Sequence, residues 1–287
     1  MSLKKYLILF YCTLLIQIVF AINVNQTLYI NSDNYMAVDT TQFPYYSFNQ
    51  TPIFQAENKR IIISPNDSLF LMIINNDTLT HGFNIKNYLG VNKTIFAGDT
   101  AYVACTFSSA GINLYYDSFN YPDNRYMGLG GMIVVDGSNA SKFFWNIKEH
   151  QKLWNISLAN GGSVVWQNYY PDYFTINGNS NPDINLDTNA RITGNIGDTI
   201  RIYISNTGQA IHSLHFHGYH STIVHSSKNP NHVGRLKDTF PIGSMESLIL
   251  ELIPNQIGEY PVHDHNLVAV SGGHIYPNGM FLTILIQ

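Results

Sequence analysis

One plan runs through the chain twice. Residues 61–85, IIISPNDSLFLMIINNDTLTHGFNI, and residues 192–217, ITGNIGDTIRIYISNTGQAIHSLHFH, each pass through an apolar strand, an Asx turn, an alternating strand, an asparagine and a histidine. Asp67 precedes His81 by the interval at which Asp198 precedes His212. Further on, GINLYYDSFN from Gly111 matches GEYPVHDHNL from Gly258, and GGMIVV from Gly130 matches NGMFLTIL from Asn278. A chain built this way folds as two copies of one unit. Strands separated by Gly, Pro, Asn and Asp clusters, with little helical periodicity, predict an all-β fold of two Greek-key β-sandwiches. The composition agrees: charged residues are 12% of the chain, about half the usual share, whereas residues suited to strands abound. We place domain one at 23–138 and domain two at 155–287, with one short helix over 141–154, SKFFWNIKEHQKLW, in the linker.

The N-terminus, MSLKKYLILFYCTLLIQIVFA, combines a basic start at Lys4 and Lys5, an apolar run from Tyr6 to Phe20 and small residues suited to cleavage. Residues 1–21 therefore read as a signal peptide, and the run is short of the ~20 apolar residues a spanning helix needs. After cleavage no membrane span is expected, and the place is secreted or periplasmic. Cys12 leaves with the leader, so Cys105, in the alternating run AYVACTF, stands alone as a core thiol with no disulfide partner. A net charge of -4 without a dense basic run excludes nucleic acid as a partner. Seven Asn-x-Ser/Thr sequons, at Asn25, Asn49, Asn66, Asn76, Asn92, Asn139 and Asn155, would make a glycoprotein only in a eukaryotic secretory pathway.

Of the 11 histidines, nine lie between His212 and His274. On a strand, side chains alternate between faces, so His215 and His217 of HSLHFHG share a face, as do His263 and His265 of HDH. Two such pairs on neighbouring strands make a patch of four imidazoles. The same period sends His212 and Asp264 to the opposite face, where His274 and Met280 are placed to join them in a second pocket. Neutral imidazoles suit copper or zinc and do not choose between them. For His81, His150, His220, His225 and His232 the simpler reading is a hydrogen-bonded core or surface residue.

At these residues the chain resembles the multicopper oxidase superfamily, and within it the two-domain members, the small laccases and copper nitrite reductases. HSLHFHG resembles the His-x-x-His-x-His-Gly signature. The resemblance implies two cupredoxin-like domains, copper rather than zinc, a type 1 copper ligand at His212 and trinuclear-cluster ligands at His215 and His217. HDHNLVAVSGGHIYPNGM resembles the second signature, which implies cluster ligands at His263 and His265 and a type 1 histidine and axial methionine at His274 and Met280. Asp264 stands where that signature has cysteine, and no blue copper is expected without the thiolate. In domain one, LTHGFNI resembles the first-ligand strand of a cupredoxin, while YYDS replaces the metal-binding loop, with Asp117 at the cysteine position and His81 as the one good ligand.

The resemblance implies a copper-dependent oxidoreductase without a blue site, whose patch meets a small reductant, oxygen or nitrite. The alternative is a copper-binding or structural cupredoxin protein without turnover. Domain two resembles half of a cluster, so a homo-oligomer that brings a second copy to it is expected.

Overall fold

The computed structural model describes residues 21–287, so the predicted leader, 1–21, lies outside the described residues except for Ala21. Domain one contributes nine strands: β1 (Asn23–Met36), β2 (Gln42–Asn49), β3 (Ile61–Ile63), β4 (Ser68–Asn75), β5 (His81–Ile85), β6 (Asn92–Ile95), β7 (Thr100–Thr106), β8 (Gly111–Tyr116) and β9 (Gly130–Val135). They form two sheets, β2-β1-β4-β7 and β3-β9-β8-β5-β6, packed around Leu28, Phe48, Leu71, Phe83 and Ile133. The short helix α1 (Asp123–Tyr126) precedes β9.

Domain two repeats this plan with β10 (Ser141–His150), β11 (Tyr173–Ile176), β12 (Thr193–Gly194), β13 (Ile200–Asn206), β14 (His212–Phe216), β15 (Ser221–Ser226), β16 (Leu236–Lys237), β17 (Thr239–Ile242), β18 (Glu246–Leu252), β19 (Gly258–Asp264) and β20 (Phe281–Ile286). Its sheets are β11-β10-β13-β18-β15-β16 and β12-β20-β19-β14-β17. In both domains the first strand pairs parallel with the strand after the Asx turn, β1 with β4 and β10 with β13. The turns themselves are the same device: Asp67 accepts from Ser64 N at 2.8 Å and Asp198 from Asn195 N at 2.8 Å. Cys105 lies buried in the core of domain one, and burial pushes its thiol up to about 11. No helix among the described residues is long and apolar enough to cross a membrane.

The expected helix over 141–154 is corrected. Ser141–His150 is strand β10, and helix α2 occupies Lys152–Ala159. Phe143, Trp145 and Ile147 enter the core of domain two, while Phe144 packs on Ile112, Leu114, Met132 and Val134 of domain one. Both faces of β10 are buried, so its apolar residues run without the polar alternation that marks a half-exposed strand. Polar ties complete this contact. Lys148 Nζ donates to Gly130 O at 2.6 Å and Thr207 Oγ1 at 2.7 Å, and Arg125 Nη1 donates to Thr207 O and Gly208 O, both at 2.6 Å. Burial, with Arg125 nearby, holds the Lys148 amine well below its ordinary range.

Two of the sequon asparagines are spent inside the fold. Asn49 and Asn155 are 2% and 0% exposed, and their amides donate to Gln55 O and Pro44 O, each at 2.9 Å. Asn25, Asn66, Asn76, Asn92 and Asn139 are exposed, all of them in the half of the chain before α2.

Candidate metal centre

Strand β14 runs antiparallel to β19 on one side and β17 on the other, with His215 opposite His263 and Thr239. Alternation sends Leu214, Phe216 and Val262 into the core and leaves His215, His217 and His263 on the outer face, with His265 just beyond the end of β19. The His215 ring lies 4.7 Å from that of His217, 5.7 Å from His263 and 5.5 Å from His265, between centroids. His217 Nε2 and His263 Nε2 are 3.0 Å apart.

Neighbouring groups decide which nitrogen each ring presents. Thr239 donates its hydroxyl proton to Asp238 Oδ1 at 3.1 Å and accepts from His215 Nδ1 at 2.9 Å, which leaves the lone pair of His215 on Nε2. His263 Nδ1 lies 2.8 Å from the carbonyl oxygen of Asp264, which can only accept, so its Nε2 carries the lone pair and faces His217 Nε2. Burial, reinforced by His215 and His263, holds His217 below its ordinary range and in the neutral form a metal needs. Among the described residues, no three His, Cys, Asp or Glu side chains are drawn together tightly enough to hold an ion as they stand. The four rings are gathered but not closed.

The second predicted pocket takes another form. His212 and Asp264 do meet, with His212 Nδ1 donating to Asp264 Oδ2 at 2.6 Å. The other ring nitrogen donates to Glu149 Oε2 at 3.0 Å, and all three side chains are at most 1% exposed. Burial alone would lower His212, but the hydrogen bonds and charges of Asp264 and Glu149 outweigh it and raise the pKa to about 9. Both nitrogens of His212 are thus engaged by carboxylates. Met280 is packed into the apolar core, and His274 is exposed in a left-handed turn (φ 66°) beside Asp172 and Tyr170.

Domain one carries the same arrangement. His81 Nδ1 donates to Asp117 Oδ2 at 2.7 Å and Nε2 to Asp77 Oδ2 at 2.8 Å. Asp117 also accepts from Gly82 N and Phe119 N at 2.6 and 2.7 Å, as Asp264 accepts from Ser213 N and Asn266 N at 3.3 and 2.8 Å. Sequence reading missed Glu149, Asp77, Asp238 and Thr239. Glu149 was hidden in the segment read as a helix, and only the β14–β17 register reveals Thr239.

Comparisons with known proteins agree with this architecture. Residues 161–285 match the family model described as multicopper oxidase. Among solved structures, the blue copper oxidase from Nitrosomonas europaea superposes with a TM-score of 0.78 at 23% identity, covering 92% of this chain and 86% of that one. The copper nitrite reductase from the same organism gives 0.74 at 19% identity, over 92% and 94% of the two chains. A laccase from Botrytis aclada gives 0.72 at 15% identity, over 92% of this chain and 53% of that one. No curated protein matches. Residues 161–285 thus match the multicopper oxidase family model, and the chain's two β-sandwiches have the fold of the copper oxidase and copper nitrite reductase structures.

Proposed function

We propose that this is an exported copper protein that binds copper through His215, His217, His263 and His265 and acts as an oxidoreductase without a blue site. The observation that carries this reading is the gathering of four imidazoles on one outer face, with the Nε2 atoms of His217 and His263 3.0 Å apart. Imidazole nitrogens suit copper, and the Nδ1 partners of His215 and His263 are of the kind that fix ligating imidazoles. Copper held there would supply one-electron exchange between a small reductant and oxygen or nitrite. His217 and His265 are exposed, so a donor reaches the patch directly and no internal relay is required. His212, Asp264, His274 and Met280 stand outside this site. The leader-like residues 1–21 support a secreted or periplasmic place.

The test is copper counted per chain, with electron paramagnetic resonance, on protein purified after copper supply. The double variant His215→Ala/His263→Ala is expected to lose most of the metal, whereas His150→Ala keeps it. Equal loss from both would overturn the assignment. The bound copper is expected to lack an intense thiolate charge-transfer band, because Asp264 and Asp117 stand at the cysteine positions. A second reading, copper binding without turnover, is favoured by the carboxylates that occupy both nitrogens of His212. Oxygen and nitrite consumption by the copper-loaded protein separates the two.

A further inference from the structure

Each domain places an imidazole between two carboxylates, His212 where the family resemblance puts a type 1 copper ligand and His81 at the matching place in domain one, on the strand that resembles the first-ligand strand of a cupredoxin. The residues present do not fit that copper: the sulfur ligand is absent and both ring nitrogens are engaged. The arrangement recurs with its second carboxylate drawn from different parts of the fold, Asp77 just after β4 in domain one and Glu149 from β10 in domain two. In both, the aspartate that replaces cysteine ties the histidine ring, the following backbone N–H and the N–H two residues beyond itself.

We propose that in domain one a buried proton, bound between His81, Asp77 and Asp117, takes the place of the metal and clasps β5 to the chain leaving β8. Carboxylates only accept hydrogen bonds, so two of them facing the two nitrogens of one ring require a proton beyond those of a neutral imidazole. The side chains of His81 and Asp117 are 0% exposed and that of Asp77 is 7% exposed, so water does not supply the missing donor. The other groups that face the triad bring no competing charge. Tyr46 from β2 sets its ring 5.4 Å from that of His81, and burial, with Asp77 and Asp117, raises its phenol to about 12. Ser32 of β1 donates to Asp77 at 2.7 Å, and Asn124 of α1 donates to Asp117 at 3.0 Å. Burial lowers His81, but its two carboxylates more than reverse this. Domain two repeats the geometry, but Asp264 lies between two candidate ligands, so domain one is the cleaner place to test it.

The experiment is nitrogen-resolved NMR of the histidine rings in the metal-free, full-length protein at about pH 8, above the ordinary imidazole pKa. The expected result is a proton on both nitrogens of His81, unchanged when copper(II) is added. A ring with one proton would overturn the proposal. Asp77→Asn is expected to return His81 to the neutral form and lower the melting midpoint by roughly 10 °C; an unchanged ring state would count against it. His81→Ala is expected to leave copper per chain unchanged, and the loss of one equivalent would show a metal site instead. Because the ring state is first read without metal, that outcome does not depend on copper binding at the four-histidine patch.

Discussion

At the scale of single residues, the chemistry turns on what each histidine nitrogen faces. His212 illustrates the consequence for stability. A raised native pKa stabilises the fold fully below the unfolded value of about 6.5, and that contribution is lost as the pH climbs through about 9. Its size is about 3 kcal/mol. Burial raises Glu149, but His212 and the N–H groups of Ala210 and Gln209 bring it below the ordinary range, so its contribution is lost in acid. It reports the same ion pair and is not added. Urea unfolding is therefore expected to show greatest stability between roughly pH 5 and 6.5, with an alkaline decline that flattens in Asp264→Asn. Thr239 has a different role, fixing the tautomer of His215. Thr239→Val is expected to weaken copper binding about 10–100-fold without changing copper per chain, as read by competitive titration.

At the scale of elements, β5 and β14 are the same strand in two settings. Both begin with a clasped histidine and send alternate residues into the core, Phe83 and Ile85 from β5 and Leu214 and Phe216 from β14, but where β14 has His215, with His217 just after it, β5 has Asn84 followed by Lys86. The four-histidine patch is thus an elaboration of one copy of a shared frame. Close approach limits what that frame accepts. A Cβ on Gly82 would sit 2.6 Å from Phe119 N and 2.8 Å from Asp117 Oδ1, so Gly82→Ala is expected to cost about 1–3 kcal/mol in urea unfolding by forcing the clasp open. Strand β10 shows why sequence reading failed there. Its alternation divides residues between two cores rather than between core and water, so Phe143 and Phe144 are both buried and hydropathy carries no period.

At the scale of the whole molecule, two sandwiches are joined by a buried apolar contact and a set of buried polar ties. Arg125 is 1% exposed and donates to two carbonyls of domain two. Arg125→Ala takes the guanidinium from both carbonyls, of which Gly208 O keeps Ser244 Oγ as a donor at 2.5 Å, and opens a cavity, and is expected to destabilise the chain by about 2–4 kcal/mol in urea unfolding. On the outer face the four-histidine patch has no counterpart in domain one, whose His81 is locked inside. A second copy of the chain set against the patch would supply one. Sedimentation is expected to show self-association that strengthens on copper loading, and a monomer carrying copper on its own patch would rule this out.

The sequence by itself determined the duplication, the Asx turns, the strands that carry the histidines and the pairing of His215 with His217 and of His263 with His265. These follow from local turn chemistry and a period of two, which neighbours in sequence are enough to express. It also showed Asp117 and Asp264 at matching places in the two repeats. The tertiary structure decided what those aspartates do. Glu149 reaches His212 across 63 residues of sequence and Asp117 reaches His81 across 36. A carboxylate's partner is set by which strands lie side by side in the fold, and no local pattern encodes that contact. The same holds for β10, whose second buried face exists only because domain one is packed against it.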